Sequence, residues 1–244
     1  MKLTENVYLV GSGHYGLSHE FDCSIYVVDC GDQLVLIDSG AGCDVGSIIE
    51  NIENDGLDPQ LISTILLTHS HADHAGGASE LKNKFNCLVY ISDIESGFLG
   101  SGDKKALKLD VAIRSGLYAP DYEFNPCSPD RSLKDGDKIE INNFFFESLV
   151  VPGHSEGSIC FKAALPEGMT LFTGDVVFAQ GVIGLLNCDG SDLSVYRENI
   201  HKLAGLDIDL LFPGHHVFVL SEGQKHIDQA IEALGKIGIP RNFL

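Results

Sequence analysis

The six residues His69-Ser70-His71-Ala72-Asp73-His74 hold four side chains able to give a lone pair to a cation or to accept a proton. They closely follow the apolar run Ile65-Leu66-Leu67, which reads as a buried strand. On an extended chain, residues two apart face the same side, with Cα atoms about 6–7 Å apart. His69 and His71 can therefore turn both imidazoles toward one ion, at metal–nitrogen distances of about 2.0–2.1 Å for zinc. Asp73 and His74, at the turn from strand to helix, can face a second ion. A packing role explains this cluster poorly, because buried polar groups without partners are costly.

Three more donors stand in a shared local context. His154 ends the block Val151-Pro152-Gly153-His154, Asp175 ends Phe172-Thr173-Gly174-Asp175, and His215 ends Phe212-Pro213-Gly214-His215. Taken singly, each is more often a satisfied surface or core residue. Each, however, follows an apolar β run and sits beside a glycine, which lets the backbone turn and approach closely.

The elements that must position these residues follow from periodicity. Val7, Leu9 and Gly11 mark a short strand, and Ile25–Val28 and Leu34–Ile37 a hairpin around Asp29-Cys30-Gly31-Asp32. Ile48, Ile49 and Ile52 share a face of a helix over Val45–Asn54, stopped by Gly56. Ile62–Thr68 and Cys87–Ser92 read as strands, with a helix over Ala75–Phe85 between them. Residues 98–132 interrupt this rhythm, with a helix over Asp103–Leu117 and then a proline-bearing loop. They read as an insertion near the mouth of the site, within one domain spanning 1–244. The strand pattern resumes at Ile139–Ile141, Phe144–Val151, Ile159–Ala163, Thr170–Thr173 and Leu210–Phe212, with a helix over Leu193–Leu203. A last helix carries Ile227, Ala230, Ile231 and Leu234 on one face, and Ser221 with Gln224 matches a capping box. Two sheets with helices outside them are the expected architecture.

With these blocks in this order, the sequence resembles the metallo-β-lactamase superfamily. The resemblance rests on the H-x-H-x-D-H block, the three glycine blocks ending at His154, Asp175 and His215, and Leu36-Ile37-Asp38-Ser39-Gly40 upstream. It runs from the first strand through His215. It implies an α+β fold, a four-layer αββα sandwich with the site at the sheet edges. It further implies that His69, His71 and His154 hold one metal, that Asp73, His74 and His215 hold the other, and that Asp175 bridges them. The cofactors would be two divalent ions per chain, zinc first, with iron or manganese as alternatives. Two such ions about 3.5–4 Å apart bring a bridging water toward ionisation at neutral pH and polarise a substrate oxygen. Asp73 is the expected catalytic residue, orienting the bridging hydroxide besides ligating. Asp38 is read either as orienting a ligand imidazole or as capping the turn after its strand.

The five-histidine, two-aspartate set most resembles the glyoxalase II-like and lactonase branches. That implies a small ester, thioester or lactone as substrate. A β-lactam or a phosphodiester at the same site is the alternative within the class. A mononuclear iron dioxygenase acting on persulfides is the alternative outside it, but that branch uses two His and one Asp, whereas every ligand position is kept here. A scaffold with a vestigial site fits the complete ligand set least. Glutathione specificity lacks support, since Val176–Cys188 contains no Lys, Arg or Tyr. Phe178 occupies the neighbourhood where lactonases tend to place a tyrosine, and with Val182–Leu186 reads as an apolar pocket wall or as core.

Composition narrows the partners. Lys and Arg number 16 against 35 Asp and Glu, a formal charge of −19. Nucleic-acid binding depends on many Lys and Arg contacts to phosphate, and anionic membrane surfaces favour basic proteins likewise. A small-molecule substrate, with no nucleic acid and no membrane, is the expectation; oligomeric state is not legible. Seven cysteines, odd in number and without a C-x-x-C pair, indicate neither a disulfide framework nor a thiolate zinc site. Glu5 and Asn6 stand where a signal peptide needs an apolar run, so a reducing cytoplasm is expected. Gly11-Ser12-Gly13-His14-Tyr15-Gly16 matches a dinucleotide fingerprint, but the next element is a strand where a helix would have to begin. That segment reads as a loop at the rim, with His14 and Tyr15 exposed.

Overall fold

The computed structural model describes residues 1–243. They fall into two compact units, Met1–Leu133 and Lys134–Leu244. Each contains one mixed or largely antiparallel sheet with its own helices, an α+β organisation.

In the first unit the strands are β1 (Val7–Gly11), β2 (Ile25–Asp29), β3 (Leu34–Ile37), β4 (Ile62–Leu66), β5 (Leu88–Ser92) and β6 (Arg131–Leu133), paired in that order. β1, β2 and β3 are antiparallel neighbours, and β3 through β6 run parallel. Parallel neighbours need crossovers, and the helices supply them. α1 (Val45–Asn54) joins β3 to β4, and α2 (Ala72–Ala75) with α3 (Ala78–Phe85) joins β4 to β5. α4 (Ser96–Ser101) and α5 (Leu109–Arg114) lie between β5 and β6. α1 buries Val45, Ile48, Ile49 and Ile52 in the core that also holds Val27, Leu36, Ile65 and Val89. Full burial of one such side chain contributes about 1.5–3 kcal/mol. Because β3, β4 and β5 run parallel side by side, their carboxyl ends emerge at one edge. Asp38, the 68–74 cluster and Glu95 follow those three ends.

The second unit holds β7 (Lys138–Ile141), β8 (Phe144–Val150), β9 (Ile159–Leu165), β10 (Gly168–Gly174) and β11 (Leu210–Pro213), in the order β11-β10-β9-β8-β7. β7 through β10 alternate in direction, and β11 runs parallel to β10. α6 (Leu193–Asn199) carries the chain between those two, and α7 (Gly223–Leu234) closes the unit. β8 and β10 flank β9 and so point the same way, as does β11. Their carboxyl ends therefore also share one edge, and His154, Asp175 and His215 follow them.

Several local expectations need correction. The single helix expected over Asp103–Leu117 shrinks to Leu109–Arg114, because Gly116 turns back at φ +83° and Lys108 stands left-handed at φ +57° before it. The helix expected from Ala75 breaks at Gly76-Gly77 into α2 and α3; added side chains there would meet the backbone carbonyls of Ala41 and Ser39. The Ser221 capping box does not form. Glu222 is the cap, in a left-handed conformation and with no side-chain bond, while Gln224 instead donates to the Leu203 carbonyl and to Asp228. The helix expected over Leu193–Leu203 stays α-helical only to Asn199, its last turn tightening to a 3₁₀ helix over Ile200–Leu203. β6 carries too short an apolar pattern to be seen in the sequence. No helix follows β1: residues 12–24 are turns and irregular chain, and His14 and Tyr15 are exposed.

Candidate metal centre

In the first unit, β4 ends at Leu66 and the chain stays irregular through Ser70. His71, at φ −61° and ψ 150°, is the extended residue that starts α2. His69 Nε2 and His71 Nδ1 lie 3.0 Å apart. Two nitrogens each about 2.0–2.1 Å from one tetrahedral ion stand roughly 3.3 Å apart, so these two can share a cation.

Asp38 organises this half. It sits just past β3 at φ +63°, a left-handed conformation that Asp tolerates better than most residues. Its Oδ1 accepts from the Thr68 backbone N–H at 2.7 Å. Its Oδ2 accepts from the Thr68 hydroxyl at 2.9 Å and from His74 Nδ1 at 2.8 Å. With its only proton given to Asp38, the Thr68 hydroxyl accepts from His69 Nδ1 at 3.0 Å. This network assigns the tautomers: His69 and His74 both carry their proton on Nδ1 and leave Nε2 as a lone pair. Of the two sequence readings of Asp38, the orienting one is what the geometry shows. Ser39 holds the same helix start, its hydroxyl and backbone N–H both donating to the His74 carbonyl, at 2.8 and 2.7 Å.

His74 Nε2 faces Asp73 Oδ2 at 3.5 Å. The second unit repeats the arrangement. His154 Nδ1 donates to the Gly184 carbonyl at 2.6 Å, leaving Nε2 as a lone pair 3.6 Å from Asp175 Oδ2. His215 Nε2 lies 3.5 Å from that same oxygen. A ring lone pair facing a carboxylate oxygen at such a distance is an arrangement that a cation between them stabilises. The donor set, imidazole nitrogens with carboxylates, suits zinc, iron or manganese. The structure thus gathers His69, His71, Asp73 and His74 within one unit, and His154, Asp175 and His215 within the other.

Two glycines make the second cluster sterically possible. A Cβ on Gly184 would stand 2.2 Å from the Asp175 carbonyl oxygen and 2.9 Å from His154 Nδ1. Gly153, at φ +143°, packs flat against Tyr196, whose ring a Cβ would meet at 2.4 Å. The buried Tyr196 hydroxyl donates toward the Asp175 carbonyl at 3.0 Å, fixing the backbone under the ligand.

Three contributors escape a reading of the sequence. Glu95, 1% exposed, follows β5 and accepts from the Ser70 backbone N–H at 2.6 Å, holding the loop between the two histidines. Tyr118, from the 98–132 segment, lies near Asp73; burial, and then the Asp73 charge, push its phenol well above its ordinary pKa, so it stays protonated. Its ring stacks on Tyr122 at 4.7 Å, and the Tyr122 hydroxyl donates to the Ala41 carbonyl at 2.7 Å. Cys23, fully buried, stands beside His74 and Asp38. Burial pushes its thiol up, so without a cation beside it the group stays protonated. No short-range pattern marks any of the three, since each reaches the cluster through a distant strand end or loop.

Glu95→Ala removes the acceptor from a buried backbone donor, at an expected cost of about 1–3 kcal/mol. Urea denaturation of the metal-free protein should show a lowered midpoint at unchanged slope, with Glu95→Gln much closer to wild type. Equal midpoints for all three proteins would show that Glu95 holds nothing in place.

Comparison with known proteins accords with this geometry. The sequence profile of the Metallo-beta-lactamase superfamily matches residues 20–215. The chain belongs to the metallo-β-lactamase superfamily. It is 26% identical over 231 residues to an atrochrysone carboxyl ACP thioesterase of Aspergillus fumigatus, covering 94% of this chain and 62% of that protein. It is 29% identical over 205 residues to the hydroxyacylglutathione hydrolase GloC of Haemophilus influenzae, covering 84% of this chain and 89% of that one. The chain thus spans about three fifths of the length of the fungal thioesterase it matches. Among solved structures, the subclass B3 metallo-beta-lactamase BJP-1 of Bradyrhizobium japonicum superposes with a TM-score of 0.74 at 22% identity, covering 95% of this chain and 89% of that one. The fold is therefore the metallo-β-lactamase fold, of the α+β class expected. Among the described residues, no helix is long and apolar enough to cross a membrane.

Proposed function

We propose that the chain is a dinuclear metal-dependent hydrolase acting on a small ester, thioester or lactone. The observation that carries this reading is the repeated motif in the two units. In each, a histidine with its Nδ1 proton tied down turns Nε2 toward a carboxylate oxygen, at 3.5 Å for His74 with Asp73 and 3.6 Å for His154 with Asp175. In this reading His69, His71 and His154 hold one ion, Asp73, His74 and His215 hold the other, and Asp175 serves both. Held there, two divalent ions, zinc foremost, would lower the pKa of a bound water and polarise the scissile carbonyl.

The remaining work falls to the side chains. The Asp73 carboxylate, with the Tyr118 phenol near it, orients the attacking water and accepts its proton. Asp38 and the Gly184 carbonyl, with Thr68 between Asp38 and His69, keep three imidazoles in the ligating tautomer, so no proton has to be displaced from a ligand nitrogen. The negative surface favours substrates of little charge over polyanions. One relative is named a thioesterase and another a hydroxyacylglutathione hydrolase, which supports a carbonyl over a phosphoryl centre. The scattered, odd-numbered cysteines suit a reducing cytoplasm.

The test is a substrate panel on metal-quantified protein: thioester, lactone, β-lactam and phosphodiester. About two zinc ions per chain with turnover of the thioester or lactone is the expected result. Turnover confined to phosphodiesters would overturn the substrate class, and one iron per chain with oxygen uptake would overturn the reaction.

A further inference from the structure

The segment Arg241–Phe243 is stitched onto residues 183–185. The Ile183 N–H donates to the Arg241 carbonyl and the Phe243 N–H to the Ile183 carbonyl, both at 3.0 Å. The Asn242 side chain accepts from the Leu185 N–H at 2.7 Å and donates to the Leu185 carbonyl at 2.8 Å. These hydrogen bonds, made by three consecutive residues, fix where the Phe243 ring goes. That ring stacks on Phe178 at 5.1 Å, with only 10° between the planes. It also lies 5.8 Å from the His215 ring and 6.3 Å from the His154 ring.

Phe178 is 1% exposed and serves as backing, while Phe243 is only half-buried. The half-buried ring thus lies beside two of the histidines assigned to metal, with the His216 ring 6.3 Å away. Residues 176–188 offer no basic side chain, and Arg241, the base within the segment, reaches Gln180. An apolar group, not a charged one, suits this surface.

We propose that Phe243 is a specificity-determining residue, its ring taking the apolar acyl chain of the substrate beside His154 and His215. This rests on the hydrolase reading above and names the part of the substrate that the second unit contacts. An acyl carbonyl positioned at these histidines carries its alkyl or aryl substituent within reach of the Phe243 face. An acetyl group is too short to use that face.

The experiment compares zinc-loaded wild type, Phe243→Ala and Phe243→Leu. Neutral N-acetylcysteamine thioesters bearing acetyl or hexanoyl groups serve as substrates, and acetate and hexanoate serve as calorimetric ligands. Phe243→Ala should lower the hexanoyl-to-acetyl ratio of kcat/KM about tenfold, the scale set by a few lost apolar contacts in a pocket. The hexanoate-to-acetate affinity ratio should fall in parallel, bound zinc should stay at the wild-type level, and Phe243→Leu should restore most of both ratios. An equal loss on both chain lengths, or unchanged ratios, would overturn the proposal. Should wild type hydrolyse neither thioester, the substrate panel above decides the hydrolase reading, and the calorimetric ratio alone decides whether Phe243 holds an apolar chain.

Discussion

Asp175→Ala should leave the purified protein with at most one tightly held divalent ion per chain and kcat/KM lowered about a thousandfold or more. The scale exceeds that for removing a group that merely orients a ligand, which costs about 10–100-fold. The reason is geometric. One buried oxygen, Asp175 Oδ2, stands 3.6 Å from His154 Nε2 and 3.5 Å from His215 Nε2. Alanine removes the charge and the shared donor together, while Tyr196 and Gly184 continue to support the backbone. Metal analysis by mass spectrometry and the zinc dependence of thermal unfolding give independent readouts. Wild type should be stabilised by zinc through preferential binding to the native state, and the variant much less. Two ions per chain and wild-type turnover in the Asp175→Ala protein would falsify the shared-ligand assignment.

The second large effect is expected at Asp38, where two substitutions separate folding from chemistry. Asp38→Ala strands three donors in a buried site: the Thr68 N–H, the Thr68 hydroxyl and His74 Nδ1. At about 1–3 kcal/mol for each buried donor left without an acceptor, the sum reaches roughly 3–9 kcal/mol. That is a large part of the 5–15 kcal/mol that typically holds a domain folded. Alanine also tolerates φ +63° less well than Asp. Equilibrium unfolding should therefore show severe destabilisation or no cooperative transition at all.

Asp38→Asn keeps the shape, the backbone tolerance and one acceptor oxygen. Its amide, however, presents N–H where a carboxylate oxygen accepted from His74. The imidazole then gains by moving its proton to Nε2, and the nitrogen that faces Asp73 ceases to be a lone pair. A folded protein with zinc affinity weakened about 10–100-fold is the expected outcome. Wild-type affinity in that variant would show that His74 does not depend on Asp38 for its tautomer.

Much of this site is legible in the sequence because its parts are local. The histidines at 69 and 71, with Asp73 and His74, sit within six residues, where backbone direction alone limits what they can face. His154, Asp175 and His215 each adjoin a glycine after an apolar run, and the strands so marked form β8, β10 and β11. Helix α1 is equally local, its isoleucines repeating at helical spacing and Gly56 ending it. The expected helix over Asp103–Leu117 fails for the opposite reason. Its apolar residues satisfy helical periodicity, but Lys108 and Gly116 adopt positive φ, and packing of Leu107, Leu109 and Tyr118 into the core decides the path. The capping box at Ser221 fails likewise, since Gln224 finds better partners at Leu203, Ile208 and Asp228.

From sequence alone came the family, the strand ends, and the seven side chains proposed as metal donors. Those are matters of residue type and near-neighbour spacing. Only the tertiary structure decided which nitrogen carries the proton on His69, His74 and His154. That choice depends on acceptors 36 residues away for His74 and 30 residues away for His154. The same holds for Glu95 under Ser70, for Tyr118 near Asp73 and for Phe243 beside His215. A hydrogen bond or ring contact between distant segments exists only once sheet order has brought their strand ends to a common edge, and no short-range pattern encodes that order.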